Sequence, residues 1–243
     1  MTAPVVRFTR VCKTYGAVRV LRGVDLDIAP GSFLGLAGIN GAGKTTLIKC
    51  MLDFCEIDSG EIEIHGIDFR RSGARARLAF LPERFMPPYF LTGREFVRSM
   101  MELGGSRYDE AGTRAMFDSL DLDSKALEQP VRSYSKGMTQ KLGLAACFLW
   151  GRDLYVLDEP MSGLDPKARA RVKEILGRLK NEGRTLLFTT HSLADIEEIC
   201  DYMAVLHQGR LAYAGTPGNF GESYREKSLE RAFLKCIEAA AHG

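Results

Sequence analysis

A glycine-rich loop that follows a short apolar run is the feature that most restricts this sequence. Residues 33–39 form the apolar run, and residues 38–45 read Gly-Ile-Asn-Gly-Ala-Gly-Lys-Thr, which fits the pattern G-x-x-x-x-G-K-[ST]. A continuous apolar run predicts a strand buried on both faces, and residues 45–54 have the pattern of a helix. The chain must therefore place a strand, a tight loop and a helix in succession, as α/β proteins do.

The residue types of this loop suit the binding of a polyphosphate. Glycines let the backbone curl so that several amide N–H groups converge on one anion, and the helix that follows adds its N-terminal dipole. Lys44 can reach the β- and γ-oxygens, where it would also serve catalysis, and the Thr45 hydroxyl can bind Mg²⁺. The predicted phosphate-binding residues are Gly38, Asn40, Gly41, Ala42, Gly43, Lys44, Thr45 and Thr46.

Three further polar residues follow apolar segments that predict strands. Asp158 and Glu159 come after the run at residues 154–157, and His191 comes after residues 185–190. Because parallel strands end at one edge of a sheet, these side chains can meet the glycine-rich loop there. We expect Asp158 to hold Mg²⁺, Glu159 to orient or deprotonate a water molecule, and His191 to contact a γ-phosphate. The alternatives are a solvated acidic turn and a structural histidine.

Composition excludes several classes of protein. The chain has 243 residues, of which 45% are hydrophobic and 26% are charged, as in an ordinary globular protein. A net charge of +2 argues against a dedicated nucleic-acid-binding protein. The longest nearly uncharged apolar stretch, residues 142–150, is far shorter than the ~20 residues that span a bilayer. No cysteines form a C-x-x-C pair, so we expect reduced thiols rather than disulfides or a zinc site.

The remaining pattern indicates one α/β unit with an inserted helical segment. We predict further strands at residues 5–9, 24–28, 61–65 and 203–206, helices at 166–181 and 193–200, and helical structure from 83 to about 146. The first two of these strands alternate apolar and polar residues, which is typical of half-buried strands. The predicted fold class is therefore α/β, with a parallel sheet core and an antiparallel β region.

Four short motifs resemble those of one family. Residues 133–138, Ser-Tyr-Ser-Lys-Gly-Met, resemble the signature L-S-G-G-Q, and residues 162–165, Ser-Gly-Leu-Asp, resemble the D-loop. Tyr15 stands at an aromatic position before the glycine-rich loop, and residues 80–83, Phe-Leu-Pro-Glu, stand at the Q-loop. From about Val5 to Tyr213 the sequence resembles the ATP-binding subunit of an ATP-binding cassette (ABC) transporter, and it is similar to the exporter-type ABC-2 branch.

The resemblance implies roles for residues that the general pattern leaves open. Tyr15 would stack on adenine, and Ser135 and Gly137 would bind the γ-phosphate of ATP held by a second copy of the chain. Glu83 stands where most members have Gln; it remains able to bind a metal but adds a negative charge. The implied cofactors are ATP and Mg²⁺, and the implied activity is ATP hydrolysis coupled to transport.

The resemblance also implies an architecture and partners. It implies a P-loop NTPase (RecA-like) fold in a single ATP-binding domain, with a core at about 1–82 and 145–215, a helical subdomain at about 83–144, and a C-terminal helix at about 222–241. The residue pattern of 225–238 itself predicts an amphipathic helix that packs on its own domain, with one apolar face formed by Leu229, Ala232, Phe233, Cys236 and Ile237. The implied partners are a second ATP-binding subunit and an integral-membrane permease, with no nucleic acid, and the implied location is the cytoplasmic face of the membrane.

The sequence leaves two other functions and the role of one basic segment undecided. One is an ABC ATPase that works on DNA, which is disfavoured because residues 46–135 lack the sustained heptads of a long coiled coil. The other is a switch module that binds ATP without cleaving it and takes no part in transport. Five arginines cluster before and into the helical insert, and we interpret them as a solvated face, with contact to a partner or to lipid headgroups as the alternative. They are Arg70, Arg71, Arg75, Arg77 and Arg84.

Overall fold

The computed structural model describes residues 3–241, which form two sheets and a layer of helices. One sheet is antiparallel with the strand order β2-β1-β4-β5, and the other has the order β10-β9-β3-β8-β7-β6. The strands are β1 (Val6–Tyr15), β2 (Val18–Ile28), β3 (Phe33–Ala37), β4 (Ser59–Ile64), β5 (Ile67–Asp68), β6 (Leu78–Leu81), β7 (Leu154–Asp158), β8 (Thr185–Thr189), β9 (Tyr202–His207) and β10 (Arg210–Gly215).

Five neighbouring strands of the six-stranded sheet are parallel, and only β10 runs antiparallel to its neighbour β9. Helices connect these strands, as parallel pairing requires. They are α1 (Lys44–Met51), α2 (Gly93–Leu103), α3 (Glu110–Ser119), α4 (Lys136–Leu149), α5 (Pro166–Asn181), α6 (Leu193–Ile199), α7 (Pro217–Ser223) and α8 (Leu229–Ala241). The mixed α/β class, with a parallel and an antiparallel sheet, is confirmed.

The six-stranded sheet separates two hydrophobic cores. Successive side chains of a strand point to opposite faces, so Tyr155 and Leu157 pack towards the helical layer, whereas Val156 packs towards α1 and the four-stranded sheet. Because both faces are covered, all five residues of β7 are buried. This explains why the strands that carry the polar residues at their ends read as continuous apolar runs.

The inserted helices reach the sheet through α4. Helix α4 packs against β6, and α2 and α3 pack against α4 through buried side chains such as Phe96 and Phe117. A capping box at Thr92 and Glu95 starts α2, and the Asp109 carboxylate caps α3 by accepting hydrogen bonds from two backbone N–H groups. The insert is therefore a small helical unit in continuous contact with the sheet.

Several predicted boundaries differ from the structure. Helix α1 ends at Met51 rather than at residue 54, because Leu52 caps it and Asp53 takes a left-handed φ of 62°. The strand predicted at 33–39 ends at Ala37, where the glycine-rich loop begins. Strands β6 and β10 were not predicted. The first has only four residues, and the second is a half-exposed edge strand without a clear alternation.

The predicted start of the C-terminal helix, placed at about 222–241, is wrong. The chain forms two helices there, α7 and α8, and the segment between them includes Arg225 with a φ of 54°, which no helix accommodates. Within α8, Leu229, Ala232 and Cys236 are buried against the domain, as the amphipathic pattern predicts. Phe220 of α7 is fully buried between Tyr213 and Tyr224 and holds the shorter helix in place.

Within residues 3–241, no helix is both long enough and apolar enough to cross a membrane. The same residues contain no group of three or more His, Cys, Asp or Glu side chains placed to hold a metal ion by themselves. All six cysteines are free thiols, and the Sγ atoms of Cys50 and Cys55 lie 3.5 Å apart.

Candidate nucleotide-binding site

The glycine-rich loop joins the end of β3 to the start of α1, and its backbone passes very close to neighbouring strands. A Cβ atom at Gly38 would lie 2.5 Å from the Leu206 carbonyl oxygen. At Gly43, φ is 110° and a Cβ atom would lie 3.0 Å from the Val20 carbonyl oxygen. Both positions therefore require glycine, Gly38 for the close approach of backbone and Gly43 also for its left-handed conformation.

Lys44 is the first residue of α1, and its ammonium group lies inside the loop. The side chain is 7% exposed, and Nζ donates hydrogen bonds to the carbonyl oxygens of Gly38 at 2.6 Å and Ile39 at 3.4 Å. Burial lowers the pKa of Lys44, while the carboxylates of Glu159 and Asp158 act in the opposite direction. The loop thus holds a desolvated cation that an anion in the cavity would stabilise.

Asp158 ends strand β7, and two threonine hydroxyls fix its carboxylate. Thr45 Oγ1 donates to Asp158 Oδ2 at 3.1 Å, and Thr189 Oγ1 donates to Asp158 Oδ1 at 2.5 Å. Thr189 ends β8 and lies directly opposite Asp158 in the parallel register. The same hydroxyl accepts the Glu159 N–H at 3.0 Å. Thr189 was not singled out from the sequence, although a threonine ending an apolar strand is a usable signal.

Glu159 follows Asp158 in an unusual backbone conformation. Its φ is 52°, in the left-handed region that non-glycine residues rarely adopt, and its side chain is nearly buried. Burial raises the pKa of Glu159; His191 and Lys44 lower it, and Asp158 and Glu83 raise it further. His191 Nε2 lies 3.0 Å from Glu159 Oε1, a contact that becomes an ion pair when the imidazole is protonated.

These groups surround one open cavity of about 350 Å³. Its size and its combination of one buried cation with oxygen ligands fit a polyphosphate with a hard divalent ion. Gly38 does not line the cavity, but its carbonyl oxygen accepts the hydrogen bond from Lys44 Nζ. The cavity is lined by Val20, Ile39, Asn40, Gly41, Ala42, Gly43, Lys44, Thr45, Thr46, Glu83, Asp158, Glu159 and His191.

A comparison with known protein families identifies the group to which the chain is related. The ABC transporter family matches residues 21–162, more than half of the chain. The chain belongs to the ABC transporter family.

Individual relatives are similar over most of the chain. It is 37% identical over 203 residues to an uncharacterised ABC transporter ATP-binding protein of Synechocystis sp., covering 82% of the chain and 57% of the relative. It is 35% identical to the Nod factor export ATP-binding protein I of Paraburkholderia xenovorans, covering 89% of the chain and 72% of the relative. The chain thus spans little more than half the length of the cyanobacterial relative.

A solved structure with the same fold is an ATP-binding subunit of an ABC transporter. It superimposes with a TM-score of 0.84 at 30% sequence identity, covering 96% of this chain and 99% of that one. Together with the glycine-rich loop at the end of β3, this similarity establishes the P-loop NTPase fold of the ABC family.

Besides Gly38, three of the binding residues predicted from the sequence do not line the nucleotide cavity. Tyr15 ends β1, is 47% exposed and does not line the cavity. A hydrogen bond with Cys55, together with partial burial, raises the pKa of Tyr15 to about 12. Lys13 Nζ lies 5.1 Å from the centre of the Tyr15 ring. The other two residues, Ser135 and Gly137, lie at the start of α4.

The signature segment forms the N-terminus of α4 and packs beside the segment that resembles the D-loop. Ser135 caps the helix by accepting the Met138 N–H at 3.2 Å, and Ser135 and Lys136 are exposed. A Cβ atom at Gly137 would lie 3.6 Å from the Gly163 carbonyl oxygen. Gln140, a residue that sequence reasoning missed, donates from Nε2 to the Pro160 carbonyl oxygen at 2.9 Å. This contact ties the signature helix to the residues after Glu159.

Replacing Thr189 with Val should damage the nucleotide site more than the fold. The change removes the hydroxyl that positions Asp158 and leaves the buried Glu159 N–H without its acceptor, at a cost of about 1–3 kcal/mol in unfolding free energy. We expect weaker binding of MgATP in a calorimetric titration, together with this loss of stability in urea unfolding.

Thr185→Val is the matched control, because Thr185 Oγ1 lies on the same strand and accepts the Gly31 N–H, away from the nucleotide site. It should lose a comparable unfolding free energy and retain the parent affinity for MgATP. Equal affinities of the two variants would show that Thr189 does not position the site.

Proposed function

We propose that this chain binds and hydrolyses ATP as the subunit that drives a membrane-embedded permease of the exporter type. The observation that carries the proposal is the convergence of Lys44, Thr45, Asp158, Glu159 and His191 on one cavity at the ends of β3, β7 and β8. The Nod factor export relative supports an exporter.

The residues at the cavity fit Mg²⁺ bound together with ATP. Thr45 Oγ1 and Asp158 Oδ2 lie 3.1 Å apart at the start of α1, and both are oxygen ligands of the kind that Mg²⁺ prefers. Glu83 lines the same cavity and supplies a third candidate oxygen ligand. When bound, Mg²⁺ neutralises charge on the β- and γ-phosphates. Thr45, Asp158 and Glu83 are the residues that would hold it.

Glu159 would act as the general base on the water that attacks the γ-phosphorus. The proton passes to the Glu159 carboxylate as the bond between the γ-phosphorus and the bridging oxygen breaks, giving ADP and phosphate. The raised pKa of Glu159 makes it a stronger base than an exposed carboxylate. His191, 3.0 Å away, would contact the γ-phosphate and hold Glu159 in place. Lys44 would stabilise charge on the transferred group.

The site in one copy is incomplete, and a second copy would complete it. Ser135 and Gly137 do not line the cavity, yet they present a helix N-terminus that suits a phosphate. We infer a homodimer in which these residues contact ATP held by the other copy, while Tyr15 stacks on adenine. ATP then favours the closed dimer, and its hydrolysis lets the copies separate.

The helical unit at about 83–144 would pass this motion to the permease, with the core at about 1–82 and 145–215 holding ATP. Between β6 and α2 the chain exposes Met86, Tyr89 and Phe90, which are 87%, 68% and 68% exposed. Such exposed large apolar side chains are typical of protein interfaces. This arrangement would place the subunit at the cytoplasmic face of the membrane, without nucleic acid as a partner.

Replacing Glu159 with Gln should abolish hydrolysis and preserve ATP binding. Removing the base lowers the ATPase rate by about 10²–10⁴-fold, and ATP that is not cleaved should accumulate a dimer in size-exclusion chromatography. Glu197→Gln, an exposed change of the same kind on α6, should leave both properties unchanged.

The Glu159→Gln variant also tests whether the chain associates with a membrane permease. Purified from its native membrane in a mild detergent with ATP, the Glu159→Gln chain should carry a polytopic protein with it. An unchanged ATPase rate would refute the role of Glu159, whereas recovery of the chain without any membrane protein would refute the transport function.

Replacing Glu83 with Gln should move the acid limb of the ATPase pH profile to lower pH. The negative charge of Glu83 contributes to raising the pKa of Glu159, so its removal lets the base stay deprotonated in more acidic solution. The profile should be measured over a range of Mg²⁺ concentrations, because an ion bound at Glu83 would offset its charge. An unmoved limb, or one that moves to higher pH, would contradict the coupling of these two carboxylates.

A further inference from the structure

Four arginines from three separate parts of the chain meet at a second cavity, on the four-stranded sheet. The cavity measures about 520 Å³ and shares no lining residue with the cavity around Lys44. All four arginines are exposed. We call this site the arginine pocket, and its lining residues are Arg10, Cys12, Arg19, Arg22, Gly23, Ser59, Gly60 and Arg210.

Strand register builds the floor of the arginine pocket. Cys12 of β1 lies opposite Arg22 of β2 on one side and Ser59 of β4 on the other, and residues paired in this way share a face of an antiparallel sheet. Cys12 is only half-buried, and Arg22 and Ser59 are exposed, so this shared face is the outer one. Arg10 lies two residues before Cys12, where the register between β1 and β2 shifts, and has a φ of 47°.

The turn between β9 and β10 brings the fourth arginine to this face. The Arg22 N–H donates to the Gly209 carbonyl oxygen at 2.8 Å, which joins the turn to β2. A Cβ atom at Gly209 would lie 2.4 Å from the Val20 carbonyl oxygen and 3.2 Å from Arg22 Cγ. Glycine is therefore required for the approach that places Arg210 beside Arg22.

These guanidinium groups have no paired carboxylate in the described part of the chain. Among residues 3–241, none of the four arginines forms an ion pair, whereas Arg70 and Arg77 of the basic stretch pair with Asp68 and Asp153. Arg22 Nε donates to the Arg19 carbonyl oxygen at 3.3 Å, which orients the guanidinium and leaves its other N–H groups available.

Two carboxylates lie in the same region, and neither forms an ion pair with a guanidinium group of the pocket. Asp25 accepts the backbone N–H of Arg10 at 2.9 Å, and Asp58 lies 3.5 Å from Lys13 Nζ. Arginine remains protonated at any physiological pH, so the pocket holds four positive charges that repel one another until an anion enters.

We propose that the arginine pocket binds a compact anion that carries several phosphate charges. Guanidinium groups bind phosphate oxygens through paired N–H donors, and four such groups around one cavity suit a small ligand of high charge density. This chemistry belongs both to a free polyphosphate and to a phosphate-monoester lipid headgroup. The inference is independent of the function proposed above, because the two cavities share no residue.

The test measures binding of inorganic tripolyphosphate by calorimetry at 150 mM salt. The full chain carries Lys44→Ala, so that the glycine-rich loop does not contribute, and the variant of interest adds R22Q and R210Q. Losing two charge-assisted contacts should weaken binding about tenfold or more. The matched control adds R71Q and R178Q, exposed arginines without an ion pair within residues 3–241, and should bind within about twofold of the background.

A second arm measures sedimentation with vesicles of phosphatidylcholine that contain phosphatidic acid. The proposal is supported if R22Q/R210Q loses binding in either arm while R71Q/R178Q keeps it. The arm in which this difference appears identifies the source of the phosphate, a free polyphosphate or a lipid headgroup. Equal behaviour of the two double variants, or no binding in either arm, overturns the proposal. Thermal unfolding of each variant checks that all are folded.

Discussion

The parallel pairing of β3, β8 and β7 is the constraint on which the whole site depends. Parallel strands end at one edge of the sheet, so the loop after β3 meets the residues after β7 and β8 there. The pairing of Asp158 with Thr189 is the critical contact, because one hydroxyl then reaches both the Asp158 carboxylate and the Glu159 N–H. A shift of one residue in this register would turn Asp158 to the other face.

This edge also concentrates charge that the interior would otherwise disfavour. Lys44 and Glu159 are both largely buried, and burial moves their pKa values in opposite directions, each towards the neutral form. Each also stabilises the charged form of the other across the cavity. The arrangement also requires an unfavourable backbone conformation, above all the left-handed φ of Glu159. The hydrogen bond from the Glu159 N–H to Thr189 helps to maintain it.

The sequence identified those parts of the site that depend on local pattern. The glycine-rich loop, Asp158, Glu159 and His191 lie at strand ends that apolar runs predict, and the structure brings all of them to one cavity. Features that depend on register escaped prediction, since nothing local shows that Thr189 faces Asp158 or that Arg210 lies beside Arg22. The C-terminal helix was misjudged because its amphipathic pattern does not reveal the left-handed residue at Arg225.

We propose that each chain carries half of a nucleotide site that a second copy completes. With ATP and vanadate, which takes the place of the γ-phosphate, ultraviolet light cleaves backbone next to the bound ion, and mass spectrometry locates the breaks. We predict cleavage in the loop at residues 38–45 and also at Ser135, although Ser135 lies outside the cavity of its own chain. Cleavage confined to the loop, with Ser135 intact, would contradict a nucleotide site shared between two copies of the chain.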